Sequence, residues 1–217
     1  MSAPAQQPRR LLLLRHGRTE WNHTRRAQGH APVELDEIGH EQSRRVADLL
    51  RQLSPARLWS SDLTRAAQTA EHVGRACDLD VELDPRLREF GVGERQGMTF
   101  DEAVERWPHV ADAVGFGEQL KGIPGAETED EVWSRIVPAV GAHLASLQPG
   151  ETGIAVTHGA AMKLALCGVL GWPRGVVGTL GVFDNCQWCS LELPAGRSVP
   201  KLKSYGRGDF ATTDAVG

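Results

Sequence analysis

Leu11-Leu12-Leu13-Leu14-Arg15-His16-Gly17-Arg18-Thr19-Glu20-Trp21-Asn22 is the stretch on which the reading of this chain turns. Four consecutive leucines between Arg9-Arg10 and Arg15 read as a short strand buried on both faces, as in a parallel sheet. The run also fits the start of a buried helix, but its length and the glycine that follows favour the strand. Where the leucines stop, Arg15, His16, a flexible Gly17 and Arg18 stand side by side. Open α/β sheets bind ligands outside the carboxyl ends of their strands. The sequence therefore sets an imidazole and at least one guanidinium where an anionic ligand is usually held. Taken alone, the Arg-His pair fits a solvated turn equally well.

The chain has 217 residues, 41% hydrophobic and 24% charged, an ordinary globular composition with enough apolar mass for a substantial core. Residues 9–205 are expected to form one domain, flanked by a disordered Ala/Pro/Gln-rich tail at 1–8 and a flexible polar tail at 206–217. A net charge of −4 without a long basic tract argues against a nucleic-acid partner but leaves room for a small anionic substrate. The leucine run is too short for a signal segment or a membrane span and ends on a charge, so a cytoplasmic location with no membrane partner is expected. Of four cysteines, only Cys186-Gln187-Trp188-Cys189 has a suggestive spacing. It falls in a strand expected over 182–193, where positions three apart face opposite sides, a poor geometry for a shared metal. No metal or other cofactor is expected. Oligomeric state is not legible.

Further along, residues 36–53 carry Ile38, Val46, Leu49, Leu50 and Leu53, compatible with an amphipathic helix. Residues 56–59 read as a second strand, and Ser60-Ser61-Asp62 offers three N-cap candidates for a following helix whose first turn holds Arg65. A short edge strand is expected near 80–83. Residues 85–97 are glycine-rich and irregular and hold Arg86, Arg88 and Glu89. Thr99 is suited to cap a helix over 100–107. Residues 91–125 are expected to hold either a partly helical flap over a pocket or a plain loop with core-packing residues. A long helix runs to about 147 with Val132, Ile136, Val140 and Leu144 at helical spacing. A third buried strand over 153–157 precedes His158, Gly159 and a helix to about 170. Strands near 182–193 and 201–205 close the chain.

Three strand ends thus each deliver a basic group: Arg15-His16, Arg65 and His158. In a doubly wound sheet these ends share one edge, and helix N-termini there favour anions. A dianionic phosphoryl group suits bidentate guanidiniums. Carboxylate and sulfate would be attracted too. By themselves the residues leave duller readings open: His158 as a strand-end histidine without a role, Arg65 as a solvated helix residue, Glu89 as a partner for Arg86 or Arg88.

Arg15-His16-Gly17-Arg18-Thr19-Glu20-Trp21-Asn22, Ser60-Ser61-Asp62-Leu63-Thr64-Arg65-Ala66-Ala67-Gln68-Thr69-Ala70, Leu87-Arg88-Glu89 and Val156-Thr157-His158-Gly159 together resemble the histidine phosphatase (phosphoglycerate mutase-like) superfamily, in that family's order. The resemblance implies a three-layer α/β/α sandwich with a mostly parallel sheet and a covalent phosphohistidine mechanism. It implies His16 as the nucleophile, Arg15, Arg65 and His158 as a phosphoryl clamp, and Glu89 as the proton donor to the leaving group. Asn22 and Gln28 match residues that contact phosphate or line the site, and Gly159 belongs to the matched strand-end motif. The sequence around Glu89, and the few cations over 91–125 (Arg95, Arg106 and Lys121), point to a metal-independent phosphomonoesterase acting on a small phosphorylated metabolite. The alternatives are a cofactor-dependent phosphoglycerate mutase and a non-catalytic protein that binds phosphorylated ligands.

Overall fold

A computed structural model describes residues 7–208; of the tails expected over 1–8 and 206–217, residues 1–6 and 209–217 lie outside the described residues. The leucine run is the centre of strand β1 (Arg9–Arg15). Leu11 and Leu13 point into one core and Leu12 and Leu14 into another, all at most 1% exposed. Each buried leucine is worth about 1.5–3 kcal/mol relative to an exposed one, so this strand fastens both layers at once.

The chain then forms α1 (Glu20–His23), α2 (Glu37–Arg51), β2 (Arg57–Ser60), α3 (Thr64–Cys77) and β3 (Glu82–Leu83). Short helices α4 (Phe100–Arg106) and α5 (Phe116–Gln119) lead to α6 (Glu129–Ser146), β4 (Thr152–Thr157) and α7 (Gly159–Leu170). Strands β5 (Trp188–Leu193) and β6 (Lys201–Arg207) complete a six-stranded sheet of order β3-β2-β4-β1-β5-β6. Pairings among the first four strands are parallel, and those of β1 with β5 and β5 with β6 are antiparallel. Leu12, Leu14, Leu58, Ile154 and Val156 pack with Val46, Leu50, Ala66, Ala70 and Val73 of α2 and α3. On the other face Leu11, Leu13 and Ala155 pack with Ile136, Val140 and Leu144 of α6 and with Met162 and Ala165 of α7. The result is the expected three-layer α/β/α arrangement, with a mixed sheet. Among the described residues no helix is long and apolar enough to cross a membrane.

The register builds the functional edge. Leu14 lies level with Val156, and Arg15 with Thr157. Ser60 also lies level with Val156. His16, Ser61 and His158 therefore follow neighbouring strand ends, tied by bonds from His16 N to Thr157 O (3.1 Å) and from Ser61 N to Val156 O (2.9 Å).

Several local expectations give way. Ser60, Ser61 and Asp62 do not cap α3, which starts from Leu63 without a side-chain cap. Their side chains are engaged elsewhere: Ser60 Oγ on Ser61 O, Ser61 Oγ with His158, and Asp62 with Arg88. The strand expected over 182–193 begins only at Trp188, because Cys186 turns into the left-handed region (φ +58°) and donates its amide to Arg15 O. Cys186 and Cys189 still lie in opposite cores. β6 runs on to Arg207, past the boundary expected at 205. In α2, Ile38, Leu49 and Leu53 are exposed, and Gly39, Gln42, Ser43, Val46, Ala47 and Leu50 form the buried stripe instead. The N-terminal half of that stripe is polar because it packs on backbone: Arg18 N donates to Gln42 Oε1 (2.9 Å), and Gly17 N to Thr69 Oγ1 (3.0 Å). In the 109–125 segment, Val110, Leu120 and Ile123 are buried while Ala113–Phe116 border a cavity.

Two glycines in helices separate space from propensity. A Cβ on Gly39 would lie 1.9 Å from Arg18 O, whereas one on Gly141 meets nothing within 4 Å. Gly39→Ala is expected to lower stability by about 1–3 kcal/mol through overpacking. Gly141→Ala is expected to raise it by about 0.4–1 kcal/mol. Urea-unfolding midpoints read both; equal shifts of one sign would contradict this packing.

Candidate active site

Beyond the carboxyl ends of β1, β2 and β4 opens a cavity of about 470 Å³. Arg15, His16, Asn22, Gln28, Arg65, Glu89 and Gly159 all line it. His158 sits behind, fully buried, its ring centroid 5.2 Å from that of His16. All eight residues singled out from the sequence are thus brought together.

His16 hangs from the end of β1, held by its neighbour's backbone. Its Nδ1 lies 2.7 Å from Gly17 O, a carbonyl that can only accept, so Nδ1 carries the proton. Nε2 then keeps a lone pair, and Arg65 Nε donates to it at 3.2 Å. Burial, then the charges of Arg65 and Arg15, hold the His16 pKa well below the ordinary histidine value. The ring is a neutral imidazole with one assigned tautomer.

Arg65, in the first turn of α3, is 1% exposed rather than solvated. It donates to Gly29 O (2.8 Å) and Ala31 O (3.3 Å) as well as to His16. Burial pulls its pKa down to about 10; Glu89 opposes that and Arg15 adds to it. The guanidinium remains charged at neutral pH. Arg15 donates through Nη1 to Phe183 O, while its buried Nε has no partner among the described residues. A Cβ at Gly159 would sit 3.5–3.8 Å from Nε, Cδ and Cζ of Arg15, an ordinary van der Waals contact.

His158 Nε2 lies 2.9 Å from Ser61 Oγ, which also accepts from Leu63 N (3.3 Å). The hydroxyl can donate to Nε2 or, through its second lone pair, accept from it, so this contact is compatible with either neutral tautomer. Nδ1 is buried and unpartnered among the described residues. Burial, then Arg65 and His16, press the His158 pKa well below the usual histidine value. An unmet buried donor costs about 1–3 kcal/mol. Arg15 Nε is such a donor, and the unpartnered His158 Nδ1 belongs to the ring beside the His16 imidazole.

Glu89 does not pair with Arg86 or Arg88, which bind Asp84 and Asp62 instead. Its carboxylate accepts from Ala160 N (3.0 Å) and Ala161 N (2.9 Å) in the first turn of α7, and from Phe90 N (3.1 Å). Asn22 Oδ1 accepts from Thr19 N, Thr19 Oγ1 and Asn185 Nδ2. Gln28 Oε1 is buried without a partner among the described residues. Arg18 turns the other way, with Nε on Asp36 Oδ2 (2.9 Å), the residue that caps α2.

For the far wall of the cavity, sequence reasoning offered only residues 91–125, as a flap or a plain loop, and missed Val182, Phe183 and Lys163. Ala113, Val114, Gly115, Phe116, Val182 and Phe183 give it apolar sides, and Lys163 adds an ammonium that donates to Leu180 O (3.0 Å). Arg26 also reaches it, already bonded to Gly97 O and Glu102. Lys163 sits at an ordinary position of an apolar helix, and the loop residues lie far away in the chain, so no local pattern marks them. Among the described residues no group of three or more His, Cys, Asp or Glu is arranged to hold a metal ion.

Known proteins share this arrangement. Residues 11–205 match the family model described as histidine phosphatase superfamily (branch 1). The protein named "Probable phosphoglycerate mutase GpmB" of Salmonella choleraesuis is 34% identical over 163 residues, 75% of each chain. "Phosphoglycerate mutase-like protein 4" of Arabidopsis thaliana is 35% identical over 156 residues, 70% of this chain and 67% of its own. Among solved structures, a mycobacterial glucosyl-3-phosphoglycerate phosphatase in complex with VO3 is 31% identical, with a TM-score of 0.83 over 92% of this chain and 100% of its own. With a family match over residues 11–205 and a fold shared with a solved phosphatase over 92% of the chain, this protein is an enzyme of the histidine phosphatase superfamily.

Proposed function

We propose that the protein is a phosphomonoester hydrolase that works without a metal ion, through a phosphohistidine at His16, on a small phosphorylated metabolite. The observation that carries this reading is the neutral His16 ring, its Nε2 lone pair facing the buried Arg65 guanidinium, with the part-buried Arg15 lining the same cavity. In the Michaelis complex the phosphoryl oxygens take the donors of Arg15, Arg65 and His158 Nδ1, and Asn22, Gln28 and the Gly159 turn border them. Arg65 Nε gives up Nε2 for a phosphoryl oxygen. Nε2 attacks phosphorus, the ester P–O bond breaks, and Glu89 delivers a proton to the departing alkoxide. Glu89 then takes a proton from water, which attacks phosphorus, releases His16 and leaves as inorganic phosphate. The protein's share is positioning and charge stabilisation.

Hydrolysis is favoured over mutase chemistry by the leaving-group side of the cavity. A mutase must also hold the second anionic group of a bisphosphate. Here that side is largely apolar, and its cations are Lys163, which donates to Leu180 O, and Arg26, whose Nη1 is bonded to Gly97 O and Glu102. The mutase names of the sequence relatives describe those proteins. The phosphatase title of the structural neighbour supports the hydrolytic reading.

Acid-sensitive phosphoenzyme should be trapped when a turnover is quenched in alkali, and His16→Ala should abolish it. An undiminished adduct in that variant would identify another nucleophile. Turnover that requires added bisphosphoglycerate, or disappears with a chelator, would contradict hydrolysis as proposed.

Because the His16 pKa is depressed, its neutral form persists below the ordinary histidine range. The acid limb of kcat/KM contributed by His16 is therefore expected below about pH 6.5; a limb at or above that value would contradict the assignment.

Glu89→Gln should lower kcat/KM for an alkyl phosphate about 10^2-fold or more while largely sparing kcat/KM for p-nitrophenyl phosphate, whose leaving group needs no proton. The comparison uses kcat/KM because it reports transfer to His16 and not the later water step that both esters share. Equal losses on both esters would make Glu89 structural.

A further inference from the structure

Glu89 belongs to no helix or strand, yet its backbone is gripped from one side by a charged cluster. Arg135, in the second turn of α6, donates through Nη2 to Glu89 O (2.7 Å) and through Nη1 to Arg88 O (2.6 Å) and Arg86 O (3.1 Å). The same guanidinium is forked onto Glu127, with Nε at 3.0 Å from Oε1 and Nη2 at 2.8 Å from Oε2. Glu127 Oε2 in turn accepts from Gly91 N (2.7 Å), and Glu127 N donates to Gly91 O (2.8 Å). His30 closes the ring, its Nε2 2.8 Å from Glu89 O and 3.5 Å from Glu127 Oε2. One planar group therefore gathers three carbonyls of the 86–89 turn, while its counter-ion holds residue 91 just beyond. Burial works against the charge of Glu127, yet Arg135 and the Gly91 amide hold its pKa below the usual carboxylate value. Arg135 and Glu127 side chains are only 18% and 25% exposed, so the pair is shielded from screening by solvent.

We propose that Arg135 and Glu127 are positioning residues for the reaction: they fix the backbone of Glu89 so that its carboxyl group meets the leaving-group oxygen. This rests on the reading of Glu89 as the proton donor. The geometry supplies what that role demands. A carboxyl group in a turn has freedom at φ, ψ and its side-chain torsions, and a misplacement near 1 Å costs about 10^2-fold in rate. The amides of Ala160 and Ala161 hold the carboxylate end, and Arg135 with His30 holds the carbonyl end. Residue 89 is thereby pinned at both extremities. A lysine at 135 keeps the charge but cannot span three carbonyls and a bidentate carboxylate. None of these groups touches the phosphoryl clamp through a hydrogen bond, so the effect should fall on protonation of the leaving group.

The test compares an alkyl phosphate (glycerol 2-phosphate) with p-nitrophenyl phosphate in Arg135→Lys, Glu127→Gln, Glu89→Gln and the double variant Glu89→Gln/Arg135→Lys. Arg135→Lys and Glu127→Gln should each lower kcat/KM, which stops at phosphoryl transfer to His16, about 10- to 100-fold more on the alkyl ester than on the aryl ester. Arg135→Lys should add little to Glu89→Gln in the double variant. Parallel losses on both esters, or losses that multiply in the double variant, would overturn the proposal. Retained aryl-phosphate turnover certifies folding, and Glu127→Gln, nearly isosteric, provides the same readout should Arg135→Lys not fold. Failure of the underlying reading shows in Glu89→Gln alone, as equal loss on both esters, and would overturn the positioning proposal with it. Failure of the inference alone leaves Glu89→Gln selective and the Arg135 and Glu127 variants unselective.

Discussion

The guanidinium of Arg65 is the constraint around which the functional edge is arranged. Removing such a charge from water costs several kcal/mol even after relaxation. Here it lies beside a second buried guanidinium, Arg15. Two cations in one dry corner are tolerated because carbonyl oxygens of Gly29, Ala31 and Phe183 surround them and because Glu89 lies near both. The same field leaves no room for further positive charge. His16 and His158, packed into that corner, are driven neutral, and a neutral imidazole has a lone pair to use. Repulsion that would destabilise an ordinary core thus defines a nucleophile and an anion receptor together.

The sheet makes this corner affordable. β1 and β4 lie in parallel register, so a side chain one residue past the end of each strand reaches the same level. The leucines of β1 fasten that register from both faces. Gly17 and Gly39 let the turn after β1 rest on α2 almost backbone to backbone, where any side chain would collide. Helix α7 begins directly behind His158 and presents two amides to Glu89. His16 and Glu89 therefore line one cavity, His16 carried by a strand end and Glu89 by a loop turn that side-chain bonds, rather than regular structure, bring into line.

What the sequence disclosed follows the same physics. Central parallel strands are buried on both faces, so residues 11–14 and 154–156 read as uninterrupted apolar runs, and the groups at their ends could be located before any coordinates. The burial of Arg65 could not, because its acceptors lie 34 and 36 residues upstream and leave no local trace. Glu89, Asn22 and Gln28 were legible only through the resemblance of the motifs around them; nothing in periodicity distinguishes them. Ser60-Ser61-Asp62 looked like a helix cap because capping residues are chosen by type, and the sheet had already claimed their side chains for His158 and Arg88. Arg135 and Lys163 occupy unremarkable helical positions. Their meaning comes from where α6 and α7 are docked, which is tertiary information.

The account depends on His16 being uncharged with its proton on Nδ1. Nitrogen NMR on imidazole-labelled protein, with His16 assigned by comparison with a His16→Gln variant, reads both properties directly. At pH 6.5 the ligand-free enzyme should show His16 as one neutral tautomer, with Nδ1 protonated and Nε2 bare. An imidazolium signal at that pH, or a proton on Nε2, would contradict it.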